Sequence, residues 1–274
     1  MIKYKYRYVI IFLLLLVFSG VFEASAQRLK HEPTTPNSKL KGKRRNGENI
    51  IEFVNGVKYT QKSTIIYCDS SIFYKKRNLF EAYGNVKILD GDSVTITAES
   101  LVYYGRDKKA ALIGDVVYTS GQKKLFTDQL DYDIATKVSY FSTGGRLIDE
   151  QNDLTSKVGY YYSQIDLATF YDSVRLDGES FDLATDTLKY FTETKIAFTE
   201  GPTSIISQSG STINNIGGKY ETVTEKMDLV EGKIETVDYF LEGDELVLDD
   251  YTQYYKAIGN VKLTAKNNDV IITG

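Results

Sequence analysis

The stretch Ala82-Tyr83-Gly84-Asn85-Val86-Lys87-Ile88, followed by Ser93-Val94-Thr95-Ile96-Thr97-Ala98 and Leu101-Val102-Tyr103-Tyr104, decides the fold of this chain. Its apolar residues alternate with polar ones, so they fall on one face of an extended backbone. Asp90-Gly91-Asp92 lies between the first two segments and reads as a hairpin-type turn. The pattern then restarts. Gly114-Asp115-Val116-Val117-Tyr118 and Gly145-Arg146-Leu147-Ile148 carry the same Gly-led unit. Asp172-Ser173-Val174-Arg175-Leu176, Gly201-Pro202-Thr203-Ser204-Ile205 and Gly232-Lys233-Ile234-Glu235 carry it loosely, and Gly259-Asn260-Val261-Lys262-Leu263 closes the series. Successive anchors lie 30, 31, 27, 29, 31 and 27 residues apart. A fixed period of that length marks stacked supersecondary units, none of which buries its apolar face alone.

A second echo runs through the units. Leu and Tyr two positions apart recur at Leu101/Tyr103, Leu130/Tyr132 and Leu188/Tyr190, with Leu246-Val247-Leu248 in the equivalent place later on. That spacing puts both side chains on one face of a strand. The chain holds 22 tyrosines and no tryptophan, which suits half-buried rings on pleated sheet. From Ile50 onward no segment sustains a 3.6-residue period. The expectation is an all-β chain, with about three or four short strands per unit of ~30 residues.

The N-terminus reads as a secretory signal over residues 1–26. Lys3, Lys5 and Arg7 precede an apolar run from Val9 to Phe22, and Ala24-Ser25-Ala26 supplies small residues for cleavage after Ala26. The run is 14 residues, short of the ~20 that span a bilayer as a helix. Residues 27–47 hold two of the three prolines and the only histidine, and are expected to be a basic disordered linker. Residues 48–274 carry the repeats. The formal net charge is −4. Setting aside the +2 of residues 1–26 and the +6 of residues 27–47 leaves about −12 on the repeats, which argues against nucleic acid as their partner. The run Lys39 to Arg45 suits either an anionic lipid surface or a solvated leader. The last residues, Asp269-Val270-Ile271-Ile272-Thr273-Gly274, match the start of a unit and stop inside it. A stack ending mid-unit is expected either to continue in a longer protein or to use its open edge for joining another molecule.

Catalytic chemistry has little to work with. His31 lies in the linker segment, so a Ser-His-Asp or Cys-His arrangement in the repeats is not available. The lone Cys68 cannot form an internal disulfide and sits in Ile65-Ile66-Tyr67-Cys68, where it reads as a small buried residue. The acid pairs Asp90/Asp92, Asp131/Asp133 and Asp249/Asp250 are explained by turns and solvent faces. No enzyme, metal or cofactor is expected.

The Gly-(Asn/Asp)-Val units running into Val-Thr-Ile-Thr-Ala-Glu-Ser-Leu-Val-Tyr, behind an export signal and a basic leader, resemble the OstA-like family. That family includes the periplasmic lipopolysaccharide-transport protein LptA and the N-terminal domain of LptD. The resemblance is clearest over residues 80–140, including Thr127-Asp128-Gln129-Leu130-Asp131-Tyr132, weaker over 142–230, and returns over 231–274. It implies a twisted open β-jellyroll, two facing sheets with an apolar groove between them for lipid A acyl chains. It also implies lipopolysaccharide as the ligand, a periplasmic bridge between inner and outer membranes, and end-to-end joining with Lpt-type β-jellyroll proteins or copies of itself through sheet edges. The inward faces supply the candidate lining: Val86, Ile88, Val94, Ile96, Leu101, Tyr103, Val116, Tyr118, Leu125, Leu130, Tyr132, Leu147, Val174, Leu176, Leu188 and Tyr190. The same residues could equally fill a closed core. In that reading the chain is a structural β-solenoid of the cell envelope, or an adhesin, binding protein partners.

Overall fold

The clearest Gly-led anchors, at Gly84 and Gly114, are bends inside long strands rather than the starts of new ones. In strand Leu79–Asp90, Gly84 and Asn85 take φ of 72° and 44°, and pairing with strand Val94–Tyr104 skips from Tyr83 to Val86. Two consecutive left-handed residues turn the strand while leaving the ladder intact on either side, as a β-bulge does. Gly114-Asp115, Asp172-Ser173 and Gly259-Asn260 do the same with positive φ at both positions. The expected three or four short strands per unit are therefore two long ones. Val94–Tyr104, which the sequence suggested as two strands, is a single element. An earlier bend, Asn55-Gly56 in strand Glu48–Gln61, escaped the sequence pattern because its glycine comes second.

The computed structural model describes residues 30–150, 152–208, 210–249, 252, 254–267 and 270–274. The signal segment 1–26 and its cleavage after Ala26 lie outside the described residues. All regular elements described are strands and every pairing is antiparallel; most join chain neighbours, while the divided strands and Lys30–Pro33 pair past an intervening element. Where a bend interrupts the ladder the strand is divided, as in Val138–Phe141 with Gly145–Asp149 and in Asn152–Ser156 with Val158–Tyr162. The bends stack into a line that folds the sheet into two leaves. One leaf ends in a first row of turns, near residues 62–63, 91–93, 121–122 and 178–180. The other ends in a second row of four-residue loops at 75–78, 105–108, 134–137, 163–166, 192–195 and 222–225.

Residues 30–47 differ from the expected linker. Lys30–Pro33 pairs with Val57–Thr60 of strand Glu48–Gln61, and Lys39–Arg45 pairs with Glu48–Val54 of the same strand through a tight turn at Asn46-Gly47. The His31 ring sits 4.7 Å from Phe53, edge-on. High charge keeps strand Lys39–Arg45 from burying side chains, and all seven of its residues are exposed. Charge does not stop the backbone from completing a ladder at a sheet edge, where such residues are favoured.

Between the leaves lies one continuous apolar cluster from Phe53 to Leu248. Rings meet across it: Tyr59 stacks on Phe80 at 4.5 Å, and Tyr118 lies 6.0 Å from Tyr132 and 5.7 Å from Tyr161.

Candidate functional site

All sixteen candidate lining residues are in this cluster, and none is more than 6% exposed. Val86, Ile88, Val94, Ile96, Val116, Tyr118, Leu125, Leu147, Val174 and Leu176 come from the leaf that ends in the first row of turns. Leu101, Tyr103, Leu130, Tyr132, Leu188 and Tyr190 come from the facing leaf. Alternation along each strand points them inward. The interior also holds Phe80, Phe141, Tyr161, Phe170, Leu183 and Tyr220, outside that set. Alternation about Phe181-Asp182-Leu183 and Ala168-Thr169-Phe170 is the signal that would have added them.

In the described residues the interior is filled by side chains. A surface hollow of about 900 Å³ lies instead along the line of bends, among Thr34, Asn55, Asp69 and Asn85. There Asn85 Nδ2 donates to Asp69 Oδ2 at 2.7 Å, and Asn260 Nδ2 repeats the bond to Asp244 at 3.0 Å.

The two rows of turns meet along a seam opposite the line of bends. Each row is tied along itself by backbone. In the second row Gly105 N donates to Asn78 O at 2.8 Å, Ile134 N to Lys108 O at 2.9 Å, Thr192 N to Asp166 O at 2.8 Å and Thr222 N to Lys195 O at 3.0 Å. No backbone hydrogen bond joins one row to the other among the described residues. Side chains do. Asp90, on the first row, accepts from Thr64 Oγ1 at 2.9 Å and Tyr132 Oη at 2.7 Å, and pairs with Lys137 of the second row. Asp149 accepts from Tyr190 Oη at 3.0 Å and Lys195 Nζ at 2.6 Å. Between these two, Lys123 Nζ donates to Asp166 Oδ1 at 2.6 Å, and Tyr161 Oη to the same oxygen at 3.2 Å. Further along, Ser180 Oγ donates to Glu225 Oε1 at 2.5 Å.

The carboxylates of Asp90 and Asp149 are 0% and 1% exposed. An unpaired buried carboxylate would be strongly disfavoured, so the tyrosine and lysine partners are structural requirements. Asp90, expected from the sequence to lie in a turn or on a solvent face, is instead a buried hub, the last residue of strand Leu79–Asp90 with its side chain turned inward. Burial, and then the hydrogen bond to Asp90, push the Tyr132 hydroxyl far above its usual range. Burial and the Asp149 charge do the same to Tyr190. Tyr103 and Tyr161 are pushed up to about 12, burial first and then the charges of Asp90 and Asp166 respectively. Cys68 is a buried free thiol raised to about 12, chiefly by burial.

No protein among curated relatives matches this chain. Among solved structures, a similar one is the crystal structure of LptH, "the LptA homologous periplasmic component of the conserved lipopolysaccharide transport device from Pseudomonas aeruginosa". Identity is 14%, over 50% of this chain and 81% of that chain, with a TM-score of 0.27. A likeness that low carries no weight for this chain. A family model described as "OstA-like protein" matches residues 35–186. That segment is more than half of the chain. It opens at the edge strand once expected to be linker and takes in the bends at Gly84, Gly114 and Asp172, so the protein belongs to the OstA-like family.

Proposed function

We propose that this protein is a lipopolysaccharide-transport scaffold of the periplasm, exported by a cleavable signal, that holds lipid A acyl chains between its two leaves. The observation that supports this reading is the apolar cluster running unbroken from Phe53 to Leu248. A buried methylene contributes ~0.8 kcal/mol, so an apolar passage can hold an acyl chain without a polar anchor. Neighbouring positions along a uniform lining differ little in energy, which lets a chain slide. Entry requires the leaves to separate along the edge opposite the bends, where side chains rather than backbone hydrogen bonds join them. Family membership points the same way.

Joining to Lpt-type β-jellyroll proteins, or to further copies, belongs to the same reading. Strand addition at an exposed sheet edge, such as the charged strand Lys39–Arg45, would extend the sheet. A bridge between inner and outer membranes would be built that way.

The complete burial of all sixteen lining residues favours a second reading. In it the interior is a permanent core, and the protein is a structural β-solenoid of the envelope that binds protein partners. One experiment separates the two. The full chain, purified from a lipopolysaccharide-producing host with photo-crosslinkers at Ile96 and Leu130, is expected to yield lipid A adducts by mass spectrometry. A folded, lipid-free protein without adducts selects the solenoid reading.

A further inference from the structure

The seam residues follow a rule that simple closure of a core does not need. Lys137, Asp166, Lys195 and Glu225 each occupy the fourth position of a second-row loop, with φ of 59°, 50°, 58° and 60°. Glycine takes this left-handed conformation without penalty, whereas a residue with a Cβ is disfavoured there. Four of the six loops nevertheless carry there a charged side chain that reaches the first row; the first two carry Asn78 and Lys108 at the same position. Lys137 meets Asp90, Asp166 meets Lys123, Lys195 meets Asp149 and Glu225 meets Ser180. Over these four loops the sign alternates along the seam: plus, minus, plus, minus. Sliding the rows by one loop would bring Lys137 toward Lys123 and Asp166 toward Asp149, opposing like charges. The alternation therefore fixes how the two rows meet.

The same loops leave the seam free to part. Their backbone groups are satisfied within their own row, as when Lys108 O accepts from Ile134 N and Asp166 O from Thr192 N. Separating the rows would break side-chain pairs and part the apolar packing beneath them, with no loss of ladder hydrogen bonds. The lysines reach in from the solvent side, at 29% and 16% exposure for Lys137 and Lys195, and can return to water.

We infer that these cross-seam pairs are a lateral gate: the interior is closed in the resting state and admits an acyl chain sideways, wherever a pair releases. The ligand class rests on the lipid-transfer reading above; the gate itself does not.

The test uses the protein's own thiol as a reporter of the interior. Thr64, Ile66 and Cys68 share the inward face of strand Thr64–Tyr74, and Thr64 holds Asp90. Asp90→Asn keeps the shape and removes the charge; Lys137→Gln, which leaves the Thr64 and Tyr132 bonds in place, serves if the first variant does not fold. Weakening a charge-assisted hydrogen bond shifts a local opening equilibrium by about tenfold to a hundredfold. Cys68 in the full chain is expected to react with N-ethylmaleimide faster by that factor, with circular dichroism unchanged. Uptake of fluorescein-labelled lipopolysaccharide is expected to accelerate with it. Faster labelling without uptake by either variant or wild type would support the gate and overturn the lipid reading. Unchanged Cys68 labelling in a folded variant overturns the gate. So does wild-type labelling that tracks global unfolding in low urea, because a gate opens below that cost.

Discussion

Gly84 lies against Asp69 so closely that a Cβ on the glycine would stand 2.5 Å from Asp69 Oδ2. The carboxylate cannot readily swing aside, since Asn85 Nδ2 holds it at 2.7 Å. The bend thus needs glycine for two reasons, backbone conformation and space.

Gly84→Ala is accordingly expected to cost about 2–3 kcal/mol, measured by urea unfolding. Gly91→Ala tests the conformational share alone. Gly91 also has positive φ, 65°, but nothing lies within 4 Å of its Cβ position, so about 1 kcal/mol is expected. Equal costs would remove the steric part of the account.

Two tyrosines on opposite leaves form a matched pair of tests. Tyr132 Oη donates to buried Asp90, whereas Tyr118 Oη has no partner of normal hydrogen-bond geometry. Tyr132→Phe should destabilise by about 1–3 kcal/mol, because it leaves a buried acceptor short of a donor. Tyr118→Phe should stay within about 0.5 kcal/mol. Equilibrium unfolding of both variants in one denaturant series decides between them.

Ile96→Asp and Leu130→Asp look like direct tests of a lipid groove, but their sites are 0% and 1% exposed. A carboxylate there has neither water nor a partner, so both variants are expected to lose the cooperative unfolding transition altogether. Ile96→Ala, at about 2–5 kcal/mol, is the largest change that still reports on a folded protein. Loss of lipid by the charged variants would then say nothing about lipid contact, which is why crosslinkers at the same positions are the better probe.

Alkaline pH gives a fourth expectation. Tyr103 and Tyr161 rise from 10.0 to about 12, and Cys68 from 9.0 to about 12. The folded protein keeps protons that the unfolded chain gives up. This contribution is therefore whole below about pH 9 and is lost progressively as pH climbs toward about 12. The urea midpoint should fall over that window, and tyrosinate absorbance from the interior rings should appear together with the loss of circular dichroism. Ionisation of those rings in a still-folded protein would contradict their burial.

The period was legible because every second strand must bend at the same place, and a Gly followed by Asn or Asp is the chemistry of that bend. The number of strands was not legible, for the same reason. Gly84-Asn85 and Asp90-Gly91-Asp92 both look like turns, yet only the second reverses the chain; the difference lies in the partner strand's ladder. The inward face was legible from alternation, so Ile96, Leu130 and Tyr190 were placed correctly in the interior. The seam was invisible. Its partners lie 41 to 47 residues apart, and Lys137 in Ala135-Thr136-Lys137 is indistinguishable from a solvated loop lysine. The linker expectation failed on a related point: composition reports whether side chains can be buried, and the Lys39–Arg45 strand buries none.

Those separations also carry a message about chain growth. Each pair joins a turn to a loop laid down some three strands later, so closure of the interior trails the growing end of the polypeptide by more than one repeat. No repeat can seal itself. A piece cut at Asp186, where the family match stops, would keep Asp149 but lack both Tyr190 and Lys195. The cooperative folding unit of this protein is therefore longer than the segment by which its family is recognised, and proteolytic fragments should be stable only in lengths that retain both members of their last cross-seam pair.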